Sequence, residues 1–321
     1  MNRKSFIIGA LMALIPGVLW GLSGVFGQYL FQQRGMSAEW LVTVRLLISG
    51  CLMLGISLAW SREKTMAIFH DKKETVKLLI FAIFGMMAVQ LTYFVSIAKS
   101  NAPTATILQY LFPVLIVLFT ALQNRKLPVK REAAAIVMAL AGTFLLVTHG
   151  DPGTLNITTS ALIWGLSSAV AMAFYTVYPG GLQLRWGSPV VVGWSMLLGG
   201  IAINFYHPFW EFTGEMDFTA FLMVTFIVLF ATFGSFYAYL VSVTMIGATY
   251  ASLFACIEPL ASAFFSVVGL GLVFNSMDWI GSFLILATMF VLSWKADGGD
   301  HEKNDTETAG AAEDRNNNAA N

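Results

Sequence analysis

The sequence predicts an all-α integral membrane protein with ten transmembrane helices, built as two five-helix repeats of inverted topology with both termini cytoplasmic. Three observations carry this expectation. The 321-residue chain is 57% hydrophobic with a mean hydropathy of +0.72. Only 11% of its residues are charged, against about 25% in typical soluble domains, so a soluble fold would have more apolar surface than it can hide. Finally, residues 92–113 align without a gap on residues 238–259, an offset of 146 (92 to 238). Tyr93 meets Tyr239, Val95 meets Val241, Ser96 meets Ser242, Ala102 meets Ala248, Ala105 meets Ala251 and Pro113 meets Pro259. Trp20-Gly21-Leu22-Ser23 matches Trp164-Gly165-Leu166-Ser167 at nearly the same offset.

A helix needs about 20 apolar residues to cross the hydrocarbon. The first span, 6–30, follows Met1-Asn2-Arg3-Lys4. A basic start before an apolar run resembles a signal peptide, but this run exceeds a signal peptide's apolar region and further spans follow, so it reads as an uncleaved helix. The second and third, 40–60 and 77–98, are separated by Arg62, Lys64, Lys72, Lys73 and Lys77. The fourth and fifth, 102–123 and 132–148, are separated by Arg125, Lys126, Lys130 and Arg131. The second half supplies 158–178, 189–208, 218–240, 248–271 and 279–294. The fifth and tenth spans are the shortest and close the two halves at equivalent places.

Lysine and arginine set the orientation, because cytoplasmic loops carry an excess of both. With the N-terminus inside, the segments named above, with Arg3, Lys4, Arg185 and Lys295, all fall on the cytoplasmic side. The other side holds only Arg34 and Lys99, beside Glu39, Asp151, Glu211, Glu215, Asp217 and Asp278. Five helices per half is an odd number, so the halves face opposite ways. The expected units are 1–150, 151–295 and a polar tail, 296–321, that cannot bury a core and is expected to be disordered.

Several function classes are disfavoured. Net charge is zero and no long basic stretch suggests nucleic acid as a partner. Cys51 and Cys256 lie inside apolar runs and give neither a disulfide framework nor metal-ligand spacing. His70, His149, His207 and His301 sit at span ends or in polar stretches. No Walker loop or nucleophile elbow is present, so no enzyme, metal or cofactor is expected. Two related halves in a membrane work by moving one against the other around a central site, which points to a solute carrier.

Trp20-Gly21, Arg45, the small residues leading to Pro113, and their second copies Trp164-Gly165, Tyr239, Ala248, Ala251 and Glu258-Pro259 resemble an EamA-type repeat. The chain therefore resembles the drug/metabolite transporter superfamily over about residues 6–294. The resemblance implies a secondary transporter of a small organic metabolite in the cytoplasmic membrane, directed outward, energised by protons or by exchange. Amino acids and amphipathic amines are the expected solutes. Uptake of an organic cation, or a receptor or scaffold without transport, are the alternatives. The family often ends its fourth and ninth helices with Gly-Glu. Here those stretches read Leu122-Gln123-Asn124-Arg125 and Gly271-Leu272-Val273, without the acid. The expected partners are the bilayer, the solute and H+, with the chain as monomer or homodimer.

Glu258 is the first candidate for chemistry. A carboxylate near the bilayer midplane costs roughly 2.5–3.5 kcal/mol on insertion scales. It reads as a counter-ion for a cationic group or as a proton site, or else as a structural carboxylate paired with Arg45 or backbone donors. Pro259 cannot donate a backbone hydrogen bond, so the ninth helix should bend there. Ala251, Ala255, Glu258, Ser262 and Ser266 form a stripe of small and polar residues. In the first half Phe112 stands where Glu258 stands in the second, with Gln109 and Tyr110 as the nearest polar groups. That asymmetry favours a solute with a cationic or zwitterionic head and an apolar body.

Arg45, early in the second span, either snorkels to the headgroups or serves in gating or carboxylate pairing. Trp40, Trp210, Trp279 and Trp294 fit interfacial belts. Trp20, Trp164, Tyr93, Tyr175 and Tyr239 lie deeper and are candidates to line a cavity. Symmetry is expected to bring Trp20 with Trp164, and Tyr93 with Tyr239, to the pseudo-two-fold axis. Gly17, Gly21 and Gly24 form a small-residue face for close helix approach, internal or between copies. Pro16, Pro113 and Pro259 are candidate hinges.

Overall fold

The computed structural model describes residues 3–151 and 156–293, and the fold is described for these alone. Trp294, Lys295, His301 and the polar tail lie outside them. Among the described residues nine helices are long and apolar enough to cross a membrane: α1 Arg3–Gln33, α2 Ala38–His70, α3 Lys72–Lys99, α4 Ala102–Gln123, α5 Lys130–Thr148, α6 Thr159–Trp186, α7 Ser188–Tyr206, α8 Phe218–Gly247 and α9 Tyr250–Leu270. A shorter apolar helix, α10 Ser276–Ser293, follows.

These ranges follow the predicted spans, with the largest differences at the polar ends. α2 runs on past residue 60, bending at Ser61 (φ −159°, ψ 92°) before its charged last turns. α6 continues past residue 178 through Pro179 into Gly180–Trp186. Hydropathy marks only the part inside the hydrocarbon, and these extensions carry polar residues beyond it. The starts are set by side-chain caps that satisfy orphan N–H groups. Ser37, Asp71, Asn101, Thr158 and Asp217 each accept from the first turn of the helix that follows.

Irregularities recur at matched places in the two halves. α3 contains a π-helical stretch, Phe81–Met87, and α8 contains another, Phe226–Gly234. α4 is interrupted at Tyr110 and Leu111 between Gln109 and Phe112. α9 is interrupted at Cys256 and Ile257 between Ala255 and Glu258. Pro16, by contrast, lies inside an unbroken α1.

The most extensive helix contacts join one half to the other: α1 with α8, α2 with α7, α3 with α6 and α5 with α10. α1 also packs on α9, and α4 on α6 and α9. Gly17 and Gly21 fit the small-residue face to internal packing. A Cβ on Gly17 would stand 2.7 Å from the Ala255 carbonyl oxygen, and one on Gly21 would stand 2.6 Å from the Glu258 carbonyl oxygen. α1 therefore lies directly against the interruption in α9.

Polar clasps close both ends of the bundle. At the end bearing the α1–α2 turn, Arg34 pairs with Asp217 at 2.6 Å. Trp40 is buried there and donates its Nε1 to the Phe209 carbonyl at 2.7 Å. Its ring is packed into the end of the bundle, whereas Trp210 and Trp279 are exposed. At the opposite end Arg185 pairs with Asp71 at 3.1 Å, and Trp186 donates to Glu74. Back at the end bearing the α1–α2 turn, His149 bonds Asp278 at 2.8 Å and Asn275 at 2.7 Å, tying the end of α5 to α10.

Candidate functional site

Proline chemistry builds the site. Pro259 lacks an N–H and its ring displaces the carbonyl four residues back, which belongs to Ala255. That carbonyl has no helical partner and lies 3.5 Å from the Tyr110 hydroxyl. The same hydroxyl donates to Glu258 Oε2 at 3.2 Å. Tyr110 belongs to the equivalent interruption in α4, so the two breaks face each other through this one phenol. Cys256, within the α9 break, donates its thiol to the Ser252 carbonyl. Glu258 itself is half-buried and opens the second part of α9.

Arg45 enters from α2. It is 2% exposed, so snorkelling to the headgroups is ruled out. The π-helical stretch of α8 presents Thr232, whose hydroxyl accepts from Arg45 Nε at 2.9 Å. Phe94 lies under the guanidinium, 4.5 Å from carbon to ring centroid. Arg45 Nη1 is buried without a hydrogen-bond partner. Arg45 and Glu258 are linked along α1, where Gly27 lies against Phe94 beneath the guanidinium and Gly21 against the Glu258 backbone. No ion pair joins them among the described residues, so the structural carboxylate–arginine pairing is not formed.

Tyr93 precedes Phe94 in α3 and is buried. Its hydroxyl bonds Thr106 at 2.9 Å and packs close to Gly24. Trp20 meets Tyr239 at 5.7 Å and Phe236 at 5.3 Å between ring centroids. Its Nε1 is buried and unpartnered. Tyr175 stacks on Phe81 at 5.5 Å, and Tyr175 and Trp164 are half-buried against the main core.

The sequence-based candidates are only partly brought together. Trp20 and Trp164 make no ring contact among the described residues, and neither do Tyr93 and Tyr239. α1 packs against α8, so Trp20 meets Tyr239 instead. Gln109 is buried and donates its amide to Ser168 at 2.7 Å, which turns it toward α6. The small-residue stripe of α9 is a packed face: Ala251, Ala255, Ser262 and Ser266 are buried, with the two serine hydroxyls unpartnered. Thr232, Phe94, Thr106 and Ser168 were missed, since a lone hydroxyl or phenyl in an apolar run carries no signal. A separate apolar cavity of about 400 Å³ lies between α1, α8 and α9, lined by Val25, Tyr29, Met223 and Phe265 among others. None of the candidates lines it.

The EamA-like transporter family matches residues 7–148 and again residues 159–294. The chain belongs to the EamA-like transporter family. The two matches coincide with the two copies of the repeat, and the nine long apolar helices fit a multi-pass membrane transporter of this family. An uncharacterized inner membrane transporter of Salmonella typhimurium (strain LT2), YicL, is 41% identical over 288 residues, covering 89% of this chain and 95% of that protein. A protein of known crystal structure has a fold similar to that of this chain, with a TM-score of 0.59. It is 19% identical, covering 93% of this chain and 100% of that one.

Proposed function

We propose that this protein is a secondary transporter of a small organic solute with a cationic or zwitterionic head and an apolar body, aromatic amino acids and amphipathic amines being the chemical range. The observation that carries the reading is the half-buried Glu258 carboxylate, held by Tyr110 across the facing breaks of α4 and α9. A carboxylate at that depth is costly, and its single phenol donor leaves acceptor capacity for a cation or a proton. Trp20 and Tyr239 meet as aromatic surface at α1, whose Gly21 lies against the Glu258 backbone; Tyr93, Trp164 and Tyr175 are the further aromatic candidates.

Ten crossings, with helices 1–5 in residues 1–150 and helices 6–10 in residues 151–295, and both termini cytoplasmic, fit the lysine and arginine bias and the exchange of α1·α8 with α6·α3. The breaks before Pro113 and Pro259 are the flexing points of an alternating-access cycle. The likeness to an inner membrane transporter supports the same membrane here, and the family supports outward movement. Glu258 also takes up the coupling proton.

Glu258→Gln keeps the shape and removes the charge. In proteoliposomes it is expected to abolish gradient-driven flux of aromatic amino acids and amines, while the purified variant keeps a wild-type elution profile and melting temperature. Full flux in a folded Glu258→Gln protein would overturn the assignment.

A further inference from the structure

Glu258 and Arg45 are both charged groups within the apolar helices, and Arg45 has unused hydrogen-bonding capacity. Arg45 is 2% exposed, its Nε is satisfied by Thr232, and its flat face rests on Phe94. Nη1 nevertheless has no acceptor. A buried guanidinium serving only as a strut would have its donors met, because each unmet buried donor carries a desolvation cost. Glu258 lies about two turns away along α1, its backbone against Gly21 where Phe94 lies against Gly27, and the two side chains form no ion pair among the described residues. Two opposite charges held in one hydrophobic bundle without neutralising each other make a receptor for a molecule that carries both.

We infer that Arg45 is the carboxylate anchor of the transport site, with Nη1 reserved for a solute carboxylate while Glu258 takes the ammonium group of the same molecule. The inference rests on the reading of Glu258 as the cation site and narrows it: the solute is a zwitterionic amino acid, and a simple amine is a poor ligand. Thr232 and Phe94 act as positioning residues, fixing the guanidinium so that its free edge is presented. Tyr93, whose hydroxyl lies against Gly24, stands at a level of α1 between the two anchors.

The test compares ligands on the purified full-length protein, by thermal stabilisation and by proteoliposome flux. The probes are phenylalanine, its methyl ester and phenethylamine, which differ in the carboxylate alone. Wild type is expected to bind phenylalanine at least about tenfold more tightly than either analogue, the worth of one hydrogen bond to a charged group. Arg45→Gln should erase that preference, and Arg45→Lys, which keeps charge without the planar fork, should reduce it. Equal binding of the three probes by wild type would overturn the carboxylate anchor while leaving the cation site standing. The same holds if Arg45→Lys keeps the full preference. Failure of wild type to bind any of the three would overturn the proposed function and the anchor together. The wild-type ligand series needs no variant, so misfolding of Arg45→Gln does not remove the test.

Discussion

At the scale of single residues, Tyr110 reaches Glu258 because Pro259 leaves the Ala255 carbonyl without a helical donor and opens the backbone at that point. Tyr110→Phe removes the hydrogen bond that the phenol donates to the carboxylate, and a bond to a charged group contributes about 1.5–3 kcal/mol. Solute binding is expected to weaken tenfold or so, read as a shift in half-saturating concentration with the melting temperature little changed. Gly21 offers a cleaner test of packing. Its missing Cβ would fall 2.6 Å from the Glu258 carbonyl oxygen and 2.8 Å from the Ser262 nitrogen, both rigid backbone. Gly21→Ala should destabilise by about 1–3 kcal/mol, while Gly55→Ala, with nothing within 4 Å, should stabilise by about 0.5–1 kcal/mol; thermal unfolding in detergent measures both. Asp71 makes a pH prediction. Hydrogen bonds from the backbone of Glu74 and then Lys73, with Arg185 beside it, hold its carboxyl below the usual carboxylate range. A depressed folded-state pKa contributes stability that is present above the unfolded value of about 3.9 and lost as pH falls through the folded value. Unfolding should turn acid-sensitive below about pH 4, less so in Asp71→Asn. Glu258 and Arg45 were legible in the sequence because charge inside an apolar run is conspicuous. Thr232 and Phe94 were not, because their residue types are ordinary there and only the tertiary fold brings them to Arg45.

At the scale of elements, the interruptions in α4 and α9 are structurally alike and chemically unlike. Both precede a proline at the second position of the resumed helix, where the missing N–H costs nothing and the fixed φ suits a helical start. Pro259→Ala returns an N–H that competes with Tyr110 for the Ala255 carbonyl. A straighter α9 is expected, with a higher melting temperature and flux at saturation several-fold slower; unchanged flux in a stabilised variant would contradict a flexing role. The prolines made these breaks readable from sequence. The π-helical stretches of α3 and α8 were not readable, because one extra residue per turn changes neither composition nor hydropathy. They matter nonetheless: Thr232 Oγ1 bonds the carbonyl of Ile227, five residues back, and this widened turn is what aims its hydroxyl at Arg45.

At the scale of the whole molecule, the repeat predicted the order of helices but not their partners. The largest contacts cross between halves, because each half presents apolar faces that only the other half covers. Residues 1–150 and 151–295 produced as two separate chains are therefore expected to restore flux when co-expressed, and neither should be stable alone; a half that folds by itself would contradict this. The two end clasps obey the same exchange. Asp71 and Asp217 stand at equivalent positions, each capping its helix and each held by an arginine from the other half. Exposed pairs of this kind contribute about 0–1 kcal/mol, so they fix register more than stability. The paired breaks have a further electrical consequence. An unbroken span keeps its dipole ends at the two membrane surfaces, but α4 and α9 each bring a carbonyl end and an N–H end into the bilayer interior. Glu258 occupies the first turn of a resumed helix, where a positive end favours an anion by about 0.3–1 kcal/mol. Phe112 occupies the matching place in α4 and leaves that positive end unmatched, so Phe112→Glu should be tolerated in the membrane better than an acid at any other mid-span position of the first half.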